Sequence, residues 1–432
     1  MKASCGGHAD AAALEQNKLD GIIGRAVNVQ LALEMIANIF SEEGVDSDEE
    51  SSGRNESMDI DGHDKSEEDS DSGMDQGDDV EKTDDKEEDE EGEGLEGEGK
   101  GDEDDEFDAD DMDNILAEEG TASRATTTLM SGGGSIISYF VDNIVPSLFN
   151  LMQPTHVSFA NTEALNPVSN PLSVVSETFS ALHQRAFGCF NNFLLIVEEV
   201  QKTWFKVNLQ ATVDWWSNLA RLVEQISQSR SVNIDANASA KESQQQQQQQ
   251  QHEEVLEGAI GCLWACARGL KAAGYMASAP APSALVEGLV GICQTSRSPS
   301  LHVKCIGALG LLACREPGFV EDNRKIGTFL IQGIQATLAS ADGARISHEH
   351  LEPVIEALDS IYDIYSDKAF DYDQPVFVRG EFLKALKQAL PEYRKVVRVS
   401  IDRRKHRELR ERADLALANL RAFVDFKAQE AS

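Results

Sequence analysis

From Ile136 to Phe426 the chain repeats one pattern, apolar residues at intervals of three and four with polar or small residues between them. That period is helical, and no stretch alternates apolar and polar residues long enough to build a sheet. It predicts helices over 135–151, 172–200, 203–227, 254–272, 283–296, 299–316, 319–340, 348–366, 377–390 and 392–427. One more amphipathic helix precedes them, Ala26 to Phe40, with Val29, Leu33, Ile36 and Phe40 on one face. From Glu254 onward the helices pair at a spacing of about 40 residues, the size of HEAT and armadillo units. In CLWACARGL at Cys262 and CIGALGLLACRE at Cys305, the small residues Ala265, Ala267, Ala308, Gly310 and Ala313 alternate with large apolar ones. Small residues let neighbouring helices approach, so pairs can stack into a superhelix with one concave surface. The expected fold class is all-α: a HEAT/armadillo-type α-solenoid with a long acidic disordered insertion.

Charge marks the insertion. Between Glu42 and Glu119 stand 39 Asp or Glu against five Lys or Arg, a net charge of −34, which leaves only −4 for the rest of the chain. Such a segment buries too little apolar surface to offset its ordering entropy, and its like charges repel. The expected organisation is therefore the end of an armadillo-like block (1–41), an acidic disordered loop (42–134), helical repeats (135–227), a Gln-rich disordered linker (228–252, with glutamines from Gln244 to Gln251), and HEAT-like repeats ending in a basic helix (253–432). Carboxylates repel nucleic-acid phosphates, so no direct nucleic-acid contact is expected of the tract and basic proteins are its natural partners. Solubility alone is the other reading of such a tract. Near its end, Asp102, Glu103, Asp104, Asp105, Glu106, Phe107, Asp108, Asp110, Asp111 and Met112 mix carboxylates with apolar side chains. They form either a docking motif that folds on a partner or a nascent helix leading back to the fold.

Motifs for chemistry are absent: the sequence has no GxxxxGK[ST], no GxGxxG between a strand and a helix, no GxSxG and no HExxH. The expectation is a non-enzyme without cofactor or metal. Seven cysteines, an odd number without a CxxC pair, read as reduced and buried, and Cys262 and Cys266 lack the second doublet that a zinc site needs. His348 and His350 read as a capping segment before a helix, with a metal site as the alternative. The N-terminus lacks a signal-peptide core, and the apolar stretch from Ile136 is broken by Asp142 and Pro146, so no membrane partner is expected.

Candidate binding residues remain. Trp215, beside Trp216, and Trp264 could line a peptide groove or pack in the core, and adjacent tryptophans cannot share one helical face. Asn191 and Asn192 could hold the backbone of an extended peptide or make inter-helix hydrogen bonds. The run Arg394, Lys395, Arg398, Arg403, Arg404, Lys405, Arg407, Arg410 and Arg412 could bind nucleic acid, serve as an import signal, fold back on the acidic tract, or simply solvate a helix face.

Several segments together resemble one family. QLALEMIANIFSEEG before an acidic loop, AFGCFNNFLL before VDWWSNL, then ALDSIYDIYSD, LKALKQALPEYRK and LALANLRAFVDF are similar to symportin, an armadillo/HEAT-repeat chaperone with an animal counterpart among the HEAT-repeat-containing proteins. The resemblance runs from about Val27 to near the end. It implies a carrier that escorts basic ribosomal proteins of the 5S particle into the nucleus, shuttling between cytoplasm and nucleus, with a groove for one client tail and the acidic loop helping to hold a second. It also implies an N-terminal armadillo block and a proline-tyrosine signal read by an importin ahead of Val27, so the chain resembles the C-terminal portion of such a protein. The competing classes are a histone-type acidic chaperone and a general HEAT-repeat scaffold or nuclear transport receptor.

Overall fold

The computed structural model describes residues 6–40, 133–155, 158–159, 171–200, 203–231, 242–280, 283–341 and 346–430. The acidic tract, with the candidates from Asp102 to Met112, lies outside the described residues. Among those described there is no strand. In chain order the helices are α1 (Gly6–Ile39), α2 (Gly133–Tyr139), which passes through a π turn (Phe140–Ile144) into α3 (Val145–Met152), α4 (Pro171–Val200), the single turn α5 (Trp204–Val207), α6 (Leu209–Ser231) and α7 (Glu242–Ala272). They continue with α8 (Ser283–Thr295), α9 (Pro299–Ala313), α10 (Val320–Ser340), α11 (Glu352–Ile364), α12 (Phe382–Ser400) and α13 (Arg407–Glu430).

Two layers result. Helices α1, α4, α7, α9, α11 and α13 pack side by side in that order, and α3, α6, α8, α10 and α12 back them one by one. Alternation of one layer with the other along the chain is the α-solenoid connectivity. Its centre is α9, capped by Ser298, whose Oγ accepts from the Leu301 amide at 3.3 Å, with Pro299 in the first turn. Every residue of α9 from Cys305 to Ala313 is buried, because neighbours cover it on all sides. Two glycines set how close those neighbours come. A Cβ on Gly307 would lie 2.3 Å from the Trp264 ring of α7, and one on Gly310 would lie 2.6 Å from Ser360 Oγ of α11.

Three expectations need correction. The glutamine run is helical and belongs to α7, which begins at Glu242 rather than near 254. Glutamine is a good helix former, and here it extends a helix already anchored by the packed Val255–Leu270 segment, so nucleation costs nothing extra. Gln249 and Gln250 also donate to Glu253 and Glu254 one turn on, each at 3.0 Å.

At the C-terminal end the chain breaks at Ile401–His406, not at Pro391, which sits inside α12. Pro391 is exposed, so the carbonyl it leaves without a donor faces water. The actual break is an Asp turn: Asp402 Oδ1 accepts from the Arg404 amide at 2.9 Å while buried Ile401 pins the chain.

In α1 the buried positions are Ala26, Leu33 and Phe40 with Ile36 partly covered, whereas Val29 is 37% exposed. The same helix, over Asn17–Ile39, is long and apolar enough to cross a bilayer by length and composition, a test that the core helix of a soluble protein also passes. Arg25 and Glu34 interrupt its apolar run. It packs along α4: Gln30 Nε2 donates to Thr178 O at 2.9 Å, Glu34 pairs with Arg185, and Phe40 meets the Phe140 and Phe193 rings at 4.9 and 5.5 Å.

Candidate functional site: the groove on the inner layer

Four inner helices bring one stripe of residues, some exposed and some buried, to a common surface at helical spacing. These are Asn191, Leu195 and Glu198 on α4; Glu257, Gly261, Trp264, Arg268 and Lys271 on α7; Lys304, Gly307 and Leu311 on α9; and Glu356, Asp359, Ser360 and Asp363 on α11. Between them lies a cleft of about 420 Å³ reaching from Glu198 and Trp264 to Glu356, Asp359 and Asp363. Asp359 and Asp363 also line a second cleft, of about 560 Å³, shared with Tyr362, Asn419, Phe423 and Phe426 near α13. The two clefts make one groove across the second half of the inner layer.

Most charges in the groove already have partners. Arg268 meets Glu198 at 2.9 Å, Lys271 meets Asp363 at 2.8 Å, and Lys304 meets Glu257 at 2.8 Å, each pair joining two helices. Glu356 and Asp359 are the remainder: neither has a hydrogen bond or ion pair to another described residue. Burial, reinforced by the Asp359 carboxylate, pushes the Glu356 carboxyl up to about 7, against the pull of Arg412 and Arg268. Asp359 is raised by burial too, again opposed by Arg412. Burial also raises Glu198, and its partner Arg268 works against that shift.

Carboxylates short of a cation in a partly dry cleft gain most from an arriving ammonium or guanidinium. Trp264 stands beside them with the Arg268 guanidinium 5.0 Å above its ring, so the groove already holds one cation–π contact of the kind a basic peptide could repeat. Chemically the arrangement can attract a cation, and among its described residues no nucleophile is paired with a base. Among the described residues no group of His, Cys, Asp and Glu is placed to hold a metal, and the six described cysteines are free. Burial pushes the Cys189 thiol up to about 12, and Cys262 spends its hydrogen on Phe187 O at 3.2 Å.

The residues proposed from sequence separate. Trp264 lines the cleft. Asn191 lies on the same surface, where a Cβ on Gly261 would meet its Oδ1 at 3.4 Å. Asn192 instead gives its amide to Ala37 O of α1 at 3.3 Å, an inter-helix bond. Trp215 is a correction: it is 7% exposed, stacked on Trp204 at 5.6 Å and edge-on to Phe190 at 5.3 Å, because its position faces the aromatic core between α4 and α6. Trp216 is fully buried and donates to Pro280 O. Sequence reasoning missed Glu356, Asp359 and Asp363, although their i, i+3, i+7 spacing marks one acidic helix face.

A two-layered helical scaffold with a groove along its inner layer has the architecture of the repeat-type adaptors. The family model described as "SYO1-like, TPR repeats" matches residues 138–431, and the chain belongs to this symportin family. It is 25% identical over 324 residues to the Schizosaccharomyces pombe "Armadillo repeat protein involved in nucleocytoplasmic transport Syo2", covering 74% of this chain and 43% of that one. It is 38% identical over 133 residues to "Symportin 1" of Chaetomium thermophilum, covering 30% of this chain and 18% of that one. With "Synchronized import protein 1" of Saccharomyces cerevisiae it shares 31% identity over 185 residues, 40% of this chain and 28% of that one. The chain thus spans less than half the length of each of these relatives.

Proposed function

We propose that the protein is a carrier for basic proteins, specifically ribosomal proteins of the 5S particle, and serves their nuclear import and large-subunit assembly. The observation that carries this reading is the pair Glu356 and Asp359, carboxylates that form no ion pair among the described residues, beside Trp264 in the groove. A basic tail laid along the inner layer would bring lysine or arginine to those groups and stack on the indole. The tract from Glu42 to Glu119, at −34, would raise the encounter rate with such a client and shield it from RNA. Membership of the symportin family and relatives named for nucleocytoplasmic transport and import support the same reading. Movement between cytoplasm and nucleus is part of the proposal, as is recruitment of an importin by a further segment.

The test is a binding titration of the full chain with the basic tail of a 5S-particle ribosomal protein and with a histone tail of equal charge. The ribosomal tail should bind tighter by about tenfold or more, and E356Q/D359N should weaken it by about tenfold, the scale of a lost desolvated charge pair. Equal affinity for both tails would favour a general acidic chaperone. Indifference to E356Q/D359N would remove the groove from the site.

A further inference from the structure

The structure divides the basic run of the C-terminal region into three groups. Arg407 is neutralised by Glu411 at 2.7 Å, and Arg410 by Asp414 at 2.9 Å. Arg412 acts on Glu356 and Asp359. The other six, Arg394, Lys395, Arg398, Arg403, Arg404 and Lys405, are all exposed, and none forms an ion pair among the described residues. They occupy one corner: the last two turns of α12 and the loop that follows. Arg394 and Arg398 lie one turn apart, about 6 Å between Cβ atoms, and Lys395 adjoins both.

The same corner holds a stacked pair of rings. The 3₁₀ turn His348–Leu351 is tied to it by the Ile346 amide, which donates to Ser400 Oγ at 3.2 Å. His348 then stacks on His406 with centroids 3.9 Å apart and 25° between planes. Both histidines are half-buried, and His350 beside them is exposed.

We propose that this corner is a second binding surface, separate from the groove, that takes single-stranded or looped RNA. Six exposed cations without an ion pair among the described residues suit a phosphate backbone, and the four arginines among them can grip phosphates bidentately. The His348–His406 stack adds what an acidic protein segment would not use, a flat aromatic platform on which a base can continue the stack. This proposal does not rest on the identity of the groove's client.

Fluorescence anisotropy of the full chain with labelled 20-mers of oligoadenylate and oligouridylate, at several salt concentrations, tests it. Binding should show a log–log salt slope of about −4, from six contacts at about −0.7 each. The variant R403E/R404E/K405E, all exposed positions, should lose at least about thirtyfold in affinity at low salt and flatten the slope to about −2 or less. H348A should cost oligoadenylate about fivefold with the slope unchanged, because a stacking platform and not a charge is lost. Melting curves and circular dichroism of both variants should match the parent. Absence of RNA binding by the full chain at low salt, or affinity unaffected by the charge reversal, would overturn the proposal. Displacement of the oligonucleotide by a poly-glutamate peptide at equal charge concentration would also overturn it and assign the corner to an acidic protein partner.

Discussion

Two charged clusters near the C-terminal end of the solenoid are built in opposite ways. At one, Lys427 is 3% exposed and fully compensated: it meets Asp373 and Glu430, each at 2.9 Å, and lies 5.3 Å over the Phe377 ring. At the other, Glu356 and Asp359 line an open cleft and form no ion pair among the described residues, with Arg412 acting on them only from a distance. A compensated buried charge locks helices together, here α13 onto the π turn Asp373–Val378 before α12. An uncompensated one leaves free energy for a ligand to recover. The contrast between saturated and unsaturated charge separates framework from site in this chain.

The largest expected effect lies in the saturated cluster. Lys427→Ala strands the Asp373 carboxylate, which is 4% exposed, and should cost about 3–5 kcal/mol, read as a large drop in melting temperature. A loss under about 1 kcal/mol would mean that water compensates Asp373 and that the cluster is not framework.

An intermediate effect belongs to the spacing that makes the groove. Gly307→Leu would drive a side chain into Trp264 and should cost about 1–3 kcal/mol through overpacking. Tryptophan emission should shift to the red as the ring is pushed outward, and tail binding should fall with it. An unchanged emission maximum would show that α7 and α9 can part without disturbing the indole.

The smallest effect concerns pH. Because the folded-state value of Glu356 is raised, to about 7, its contribution to stability is fully present below its ordinary value of 4.5 and is lost as pH rises through about 7. At pH 8 Glu356→Gln should therefore stabilise the chain by about 1 kcal/mol, after allowance for the solvent that reaches a partly exposed group. A basic tail favours the ionised form, so its affinity should rise between pH 6 and 8 and release protons, and E356Q should flatten that rise. An affinity profile that stays steep in E356Q would move the titrating group elsewhere.

How much of this was legible follows from the range of each interaction. Helical period is local, and the element list over 172–227 and 283–340 agrees closely with α4, α6 and α8–α10. The C-terminal boundary was misplaced because Pro391 is a strong local signal, yet exposure makes it harmless within α12. The glutamine run looked like low complexity, and only its continuity with a packed helix makes it α7. Asn191 and Asn192 illustrate the limit for the site: adjacent in sequence, one lies on the groove surface and the other is bound to Ala37.

By itself the sequence determined the helical class, the repeat spacing and the concentration of negative charge between Glu42 and Glu119, since each depends on residue type and short-range order. Tertiary structure decided which side of each helix became the groove. Trp215 and Trp264 are the same residue type on similar helices, and the packing of α4 against α6 buries one while the gap over Gly307 presents the other. It also decided which charges are spent: Lys271 finds Asp363 across 92 residues of chain, while Glu356, one turn from Asp359 and two from Asp363, forms no ion pair among the described residues. Pairing at that separation is set by the stacking of α7, α9 and α11, because a side chain's partner is fixed by distance in space and not by position along the chain.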